Sequence, residues 1–373
     1  MTKDKILFVI SNNLDLGGIQ NVIMNIVRNL STEIIFDVVC FKDQVGYFDD
    51  EFASYGGLII RLNREKKKNS ITARFDYYLR GHRIVSALES IIAQHGPYIA
   101  IHSNIGTEDG LILKAGKKMT VPVRISHVHT AFDRKYNLIA KAYTKYLNHL
   151  IHRNATSLIA CSQMAGEKLY GTHHFSVIYN TVDRKFFDNT IPQTIHKAPH
   201  LLQVGLICDN KNQMFTLDIL KTLKEKYPGS QLVFIGSPKD SVMEHYHDNL
   251  KEKAKEEGMN ESVHFLPADS DVKAEMQKAD YLLLPSHNEG LGIVSLEAQA
   301  VGLMCFASTE VPAEVDCGGC VFLSLNDGAE SWANRIAQQF EEDHGARQKY
   351  DMSRFMPDVI MEQYRKLYRG ELD

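Results

Sequence analysis

Short apolar runs rich in β-branched residues alternate along the chain with longer stretches whose apolar positions recur at helical spacing. That rhythm predicts βα units and parallel sheets. In the first half it places strands at Ile6–Ile10, Ile35–Phe41, Leu58–Leu62, Ile99–His102, Val123–Ser126, Ser157–Cys161 and Ser176–Tyr179. Helical patterns fill the gaps, most clearly at Ile19–Leu30, Ile71–Gln94 and Leu138–His152. The second half restarts the rhythm at Leu201–Val204, Gln231–Ile235, Val263–Leu266, Tyr281–Leu284, Met304–Ala307 and Val321–Leu323.

Periodicity lapses from Asp188 to Pro199, where Pro192, Pro199, Asn189 and Thr190 break any pattern. The expected organisation is therefore a first domain over 1–187, a linker over 188–199 and a second domain over 200–350. Residues 351–373 are expected to hold a terminal helix that packs back on the first domain, since Val359, Ile360, Met361, Tyr364, Leu367 and Tyr368 fall at helical spacing. Parallel sheets bind ligands beyond the carboxyl ends of their strands, so two such domains facing each other would hold a ligand in the cleft between them.

A length of 373 residues suits two domains of ~100–200 residues each. With 44% hydrophobic and 24% charged residues, disorder and a disulfide-stapled miniprotein are excluded. No apolar run reaches the ~18 residues of a membrane span. Lys3 and Lys5 lead straight into the first strand without a small-residue cleavage site, which reads against a signal peptide. Six cysteines in such a chain are expected as reduced thiols, which points to the cytoplasm. The net charge of -4 covers an asymmetry. Residues 1–190 carry 24 basic and 17 acidic side chains (+7), and the remainder carries 18 and 29 (-11). A basic first half suggests a phosphorylated lipid or a membrane surface as its neighbour, the alternative being an accident of surface composition.

The richest stretch runs from Tyr281 to Ala300. An apolar strand stops at Pro285, a polar loop presents Glu289, Gly290 and Gly292 uncover backbone amides, and a helix carrying Glu297 follows. Glycines before a helix start make an anion site, because free N–H groups and the helix dipole point at it. Two carboxylates flanking one phosphate site suit a sugar nucleotide, whose hydroxyls donate to carboxylates and whose diphosphate accepts from amides.

The same string, with its Glu-x7-Glu spacing, resembles the retaining GT-B glycosyltransferases of family 4, also called glycosyl transferases group 1, and among them the capsular and exopolysaccharide transferases. The resemblance extends over nearly the whole chain. Ser11 to Gln20 resembles the family's Gly-Gly loop, with Gly17 and Gly18 where the backbone approaches donor phosphate and acceptor. Val121 to Thr130 resembles the strand-end segment whose histidine lies by the reacting sugar, His129 matching better than His127. Leu158–Ser162 and Val177–Asp183 are similar to the signatures before the linker. Val204 to Gln213 resembles the first turn of the nucleotide domain, where a basic pair neutralises the diphosphate; Lys211 is present, but Leu206 stands where the family usually has arginine.

This resemblance implies a GT-B fold and a hexosyl- or N-acetylhexosaminyltransferase that acts with retention and no metal or other cofactor. Uridine is the expected base, and the acceptor is expected to be a glycan or a lipid-linked hydroxyl in surface polysaccharide biosynthesis. Lys211 and the amides of Gly290, Leu291, Gly292 and Ile293 would hold the diphosphate, Glu297 the ribose, Glu289 a sugar hydroxyl and His129 the sugar from the other side. Glu289, His129 and Lys211 form the expected catalytic set. The expected location is the cytoplasm, with a peripheral contact of the basic domain at the inner membrane face. Two rivals remain: a sugar-nucleotide epimerase on the same fold, and a non-catalytic scaffold subunit, which the loss of arginine at 206 would suit.

Weaker signals carry plainer readings. Asp269-Ser-Asp271 spells a manganese motif but precedes a helical run, so an N-cap cluster is expected. Cys317 and Cys320 form half a zinc motif with no second pair. His173, His174, His245 and His247 are expected to face solvent. Gly-x-Gly-x-x-Gly is absent after both first strands, against a nicotinamide enzyme. The basic run Arg61 to Lys68 lacks interleaved aromatics, against a nucleic-acid groove; a solvated surface or a membrane contact would suit it.

Overall fold

In a computed structural model the chain is described over residues 3–62, 72–130, 138–187 and 196–372. It divides into two compact units. One comprises Met1–Thr181 with Pro357–Asp373, the other Val182–Met356.

The first unit runs β1 (Asp4–Ile10), α1 (Gly18–Leu30), β2 (Ile34–Cys40), α2 (Asp49–Ser54), β3 (Ile59–Arg61), α3 (Thr72–His95), β4 (Ala100–Ser103), α4 (Asp109–Lys118), β5 (Val123–Val128), α5 (Leu138–Asn154), β6 (Ser157–Ala160), α6 (Gln163–Tyr170) and β7 (Ser176–Val177). Its strands form a parallel sheet in the order β3-β2-β1-β4-β5-β6-β7. Ile6 to Ile10 are buried without alternation, as a strand covered on both faces requires.

The second unit follows as β8 (His200–Val204), α7 (Gln213–Lys226), β9 (Gln231–Ile235), α8 (Ser241–Glu256), β10 (Val263–Leu266), α9 (Val272–Lys278), β11 (Tyr281–Leu284), α10 (Ile293–Ala300), β12 (Met304–Ser308), β13 (Cys320–Leu323) and α11 (Gly328–Asp343). Its sheet is also parallel, in the order β10-β9-β8-β11-β12-β13. Trp332 of α11 is fully buried in the core over this sheet and satisfies its indole N–H on Ser324 O at 2.9 Å.

The terminal helix α12 (Pro357–Arg369) belongs to the first unit. Ile360, Met361, Tyr364, Leu367 and Tyr368 join the core over β1, β2, β4 and β5. Both boundaries fall closer to the ends of regular structure than the sequence suggested. Val182–Phe187 belongs to the second unit because its turn at Arg184–Phe187, with Phe186 buried, packs beside α10. Residues 351–356 also belong there, since Phe355 is buried and Arg354 donates to Glu314 O and Asp316 O. Most of the expected linker, residues 188–195, lies outside the described residues.

Among the minor motifs, Asp271 caps α9 by accepting from Ala274 N at 3.1 Å. Cys317 and Cys320 are free thiols, as are the other four cysteines. One of the histidines is a correction: His247 is half-buried against the Phe265 ring. His173 is exposed, as expected, with one ring face stacked on His152 at 3.6 Å, because an imidazole edge can stay wet while its face packs. Of the basic run, Arg61 pairs with Asp49, and residues 64–68 lie outside the described residues. No helix among the described residues is long and apolar enough to cross a membrane.

Candidate active site

β8 and β11 are neighbours where the strand order of the second unit reverses. Loops leaving the carboxyl ends of such a strand pair are where doubly wound sheets gather ligands. The β8 loop opens with Gly205 at φ 147°, and a Cβ there would stand 3.3 Å from Lys211 Cε, so glycine lets the lysine stem cross the turn. The loop closes on Asn212 in the left-handed region, φ 57°, which turns the chain into α7.

The β11 loop, residues 285–292, is stitched to this turn. His287 N donates to Asn210 O at 2.8 Å, Asn210 Nδ2 to Asn288 O at 2.9 Å, and Asn212 Nδ2 to Pro285 O at 3.2 Å. The stitching brings two residues 78 positions apart into an ion pair: Lys211 Nζ donates to Glu289 Oε1. Ser286 Oγ donates to the same oxygen at 2.6 Å. Each charged side chain keeps some exposure, 20% for Lys211 and 11% for Glu289, so a ligand can reach both.

Gly292, at φ 86° and ψ 50°, occupies the N-cap of α10 in a conformation that favours glycine, and no side chain caps the helix. Leu291 is buried. Ile293 and its neighbours form a first turn without an acidic residue; Ser295 N donates to Gly292 O at 2.9 Å, and the N–H groups before it are those for which helix geometry supplies no intrahelical acceptor. Glu297, the fifth residue of α10, is half-buried. Burial pushes its carboxyl up to about 7; Lys185 pulls the other way, and Asp183 adds to the rise. Lys211, Glu289, Gly290 to Ile293 and Glu297 are thus carried by two stitched loops and one helix, though Glu289 meets Lys211 directly rather than standing apart from it.

In the first unit, Gly17 is extended at φ 176° and Gly18 opens α1. A Cβ on Gly18 would meet nothing within 4 Å, so packing does not require glycine there. The loop before them is closed by Gln20 Nε2 donating to Asn13 O at 3.0 Å. His129 follows β5, with its Nε2 2.8 Å from Asn104 Oδ1 and its buried Nδ1 without a partner among the described residues. Burial lowers its pKa to about 3, so the ring is neutral. Gly17, Gly18 and His129 lie past the carboxyl ends of β1 and β5, with β4 between those strands.

Sequence reasoning missed Asn104, Ser286 and Lys185, and the buried His102. The available signal was polarity in the wrong place: His102, Ser103 and Asn104 stand at the end of a predicted buried strand, where an unpartnered polar group is costly. Among the described residues no group of three or more His, Cys, Asp or Glu is placed to hold a metal ion.

Residues 16–186 match the family described as Glycosyltransferase Family 4, and residues 186–350 match the Glycosyl transferases group 1. The chain is a GT-B glycosyltransferase of this group, built from two Rossmann-like domains. It is 28% identical over 355 residues to EpsF of Bacillus subtilis (strain 168), which carries a glycosyltransferase name, across 90% of this chain and 88% of that one. To the capsular polysaccharide biosynthesis glycosyltransferase CapH of Staphylococcus aureus it is 26% identical over 298 residues, across 79% and 78%. Among solved structures, Anabaena HepE in complex with UDP and glucose superposes with a TM-score of 0.76 at 16% identity, covering 97% of this chain and 98% of that one. HepE in complex with UDP-glucose gives 0.76 at 15% identity, covering 98% and 99%.

Proposed function

We propose that this glycosyltransferase moves a sugar from a UDP-sugar to a hydroxyl of a glycan or lipid-linked acceptor in surface polysaccharide biosynthesis, with retention at the anomeric carbon. The name of CapH supports the pathway, and the HepE complexes support the uridine diphosphate. The observation that carries the reading is the Lys211–Glu289 pair beside the glycine-capped start of α10.

A diphosphate entering there meets an ammonium and the first-turn amides of α10 together. Lys211 leaves Glu289 for the phosphate, and the released carboxylate accepts from a hydroxyl of the transferred sugar. Glu297 accepts from the ribose. In the first unit the backbone at Gly17 and Gly18, open above Gly18, admits the phosphates, and His129 Nδ1 accepts from a sugar hydroxyl. Rate enhancement comes from stabilising the departing diphosphate and from holding two substrates together, terms that are commonly worth several kcal/mol each. The leaving phosphate oxygen takes the acceptor proton, so neither a protein base nor a metal is required. The basic first half suits a peripheral contact with the inner membrane face.

A thermal-shift screen of UDP-sugars, with GDP- and ADP-sugars as controls, tests the donor. A ligand at 100 times its Kd stabilises the fold by about 2.7 kcal/mol, which is a shift of several degrees. Stabilisation by a GDP- or ADP-sugar but by no UDP-sugar would refute the uridine assignment. Isomerisation of the donor in the absence of any acceptor would favour an epimerase.

A further inference from the structure

Parallel strands buried on both faces are normally apolar, yet β4 and β5 each bury an imidazole. His102 and His127 are both 0% exposed, and their rings stack 5.2 Å apart. His127 in turn packs on His129 with centroids 3.9 Å apart. Tyr368, on the terminal helix and also buried, places its hydroxyl 3.1 Å from His102 Nδ1, and His102 Nε2 lies 3.0 Å from His127 Nδ1. The series ends on two buried nitrogens that have no partner among the described residues, His127 Nε2 and His129 Nδ1.

Proton accounting fixes which nitrogen carries hydrogen. A neutral imidazole has one N–H and one lone pair, and burial keeps all three rings neutral. Asn104 Nδ2 donates to His102 O at 3.2 Å, which leaves its Oδ1 to accept from His129 Nε2–H. His129 Nδ1 is therefore a bare lone pair. Among the described residues His102 Nδ1 is the hydrogen-bond partner of the Tyr368 hydroxyl, so the hydroxyl donates there. His102 must then carry its proton on Nε2 and donate to His127 Nδ1, which leaves His127 with an N–H on Nε2. Either polarity leaves one buried donor unmet, the Tyr368 O–H or the His127 Nε2–H, at a cost of about 1–3 kcal/mol, and only the second stands beside His129, where an arriving hydroxyl can meet it. An unmet donor and an unmet acceptor thus sit on two tilted rings whose centroids lie 3.9 Å apart. A hydroxyl group, which both accepts and donates, satisfies the two together.

We propose that His127 is a second substrate-reading imidazole of the first unit, donating from Nε2 to the sugar hydroxyl that donates to His129 Nδ1, with Tyr368 and His102 as the positioning residues that hold its tautomer. This rests on the reading that His129 meets the transferred sugar. It gives the terminal helix a part in recognition beyond packing.

Long-range 1H–15N spectra of the full chain labelled in its histidine rings test this at pH 7, without ligand and with UDP, UDP-glucose or UDP-N-acetylglucosamine. The expected ligand-free state is an Nε2–H tautomer for His102, His127 and His129. At least one of the two UDP-sugars should move both His127 Nε2 and His129 Nδ1, while UDP alone moves neither. Tyr368→Phe removes only the hydroxyl and should raise the Nδ1–H tautomer of His127 to a comparable population with UDP affinity unchanged, a readout that loss of packing would not produce. An Nδ1–H tautomer of His127 in the unmodified protein overturns the proposal. A shift at His129 Nδ1 without one at His127 Nε2 also overturns it while leaving the reading of His129 intact. If neither nitrogen responds to either UDP-sugar, as when an ordered water fills the site, both fail.

Discussion

The polar groups of the two units are held by opposite means. At the ends of β4 and β5, neutral imidazoles are buried and fixed by one another, by Asn104 and by Tyr368. At the ends of β8 and β11, a full positive and a full negative charge are paired and partly exposed, on loops tied by backbone and asparagine hydrogen bonds. The difference follows from what a low-dielectric interior tolerates. Neutral donors and acceptors can be buried if nearly all are satisfied, whereas charges stay near water or near a counter-charge. It also divides the chemistry: fixed neutral groups suit hydroxyls, and a releasable ammonium beside a helix start suits a diphosphate.

Removing the ammonium should break the charged region most severely. Lys211→Met is expected to lower transfer by about a thousandfold, since a leaving diphosphate then loses its main cation. It should also flatten the dependence of donor affinity on ionic strength; an unchanged salt slope in equilibrium titrations would remove Lys211 from the phosphate site. Glu289→Gln comes next. The ordinary donor affinity should survive within about threefold while transfer falls by about a hundredfold, because one charge-assisted hydrogen bond to the reacting sugar is lost; transfer rates measured at saturating donor decide it.

Glu297 supplies the pH dependence. A carboxyl with a pKa of about 7 is protonated below neutrality, so ribose binding to the ionised form weakens as pH falls. Between pH 8 and pH 6 the donor Kd should rise by about tenfold, and Glu297→Gln should abolish that dependence. The stability consequence has the opposite sense. The folded pKa lies above the ordinary 4.5, so the neutral carboxyl is no burden below pH 4.5, and stability is lost as pH rises through 7. The glutamine variant should accordingly melt higher than the unmodified protein at pH 8 and close to it at pH 4.5. The smallest effect is a gain: Leu206→Arg should tighten UDP binding by about threefold to tenfold in titration calorimetry by restoring a second cation.

How much of this was legible in sequence depends on range. Every strand was visible, because a strand's signal lies in a few adjacent residues; Gln231–Ile235, Val263–Leu266 and Tyr281–Leu284 agree to the residue. The glycine-capped start of α10 was also visible for the same reason. Pairings across long separations were not. Nothing local to Lys211 says that it meets Glu289, 78 positions away, and nothing local to Tyr368 says that its hydroxyl reaches His102, 266 positions away. The unit boundary was set too late because Val182–Phe187 reads as a loop, and only the burial of Phe186 beside α10 assigns it to the second unit.

The most direct test is a crystal structure with UDP-glucose bound. The account predicts a diphosphate at the start of α10, with Lys211 Nζ moved from Glu289 onto a phosphate oxygen and the freed Glu289 carboxylate on a glucose hydroxyl. A diphosphate bound elsewhere, or bound with the Lys211–Glu289 pair still closed, would contradict it.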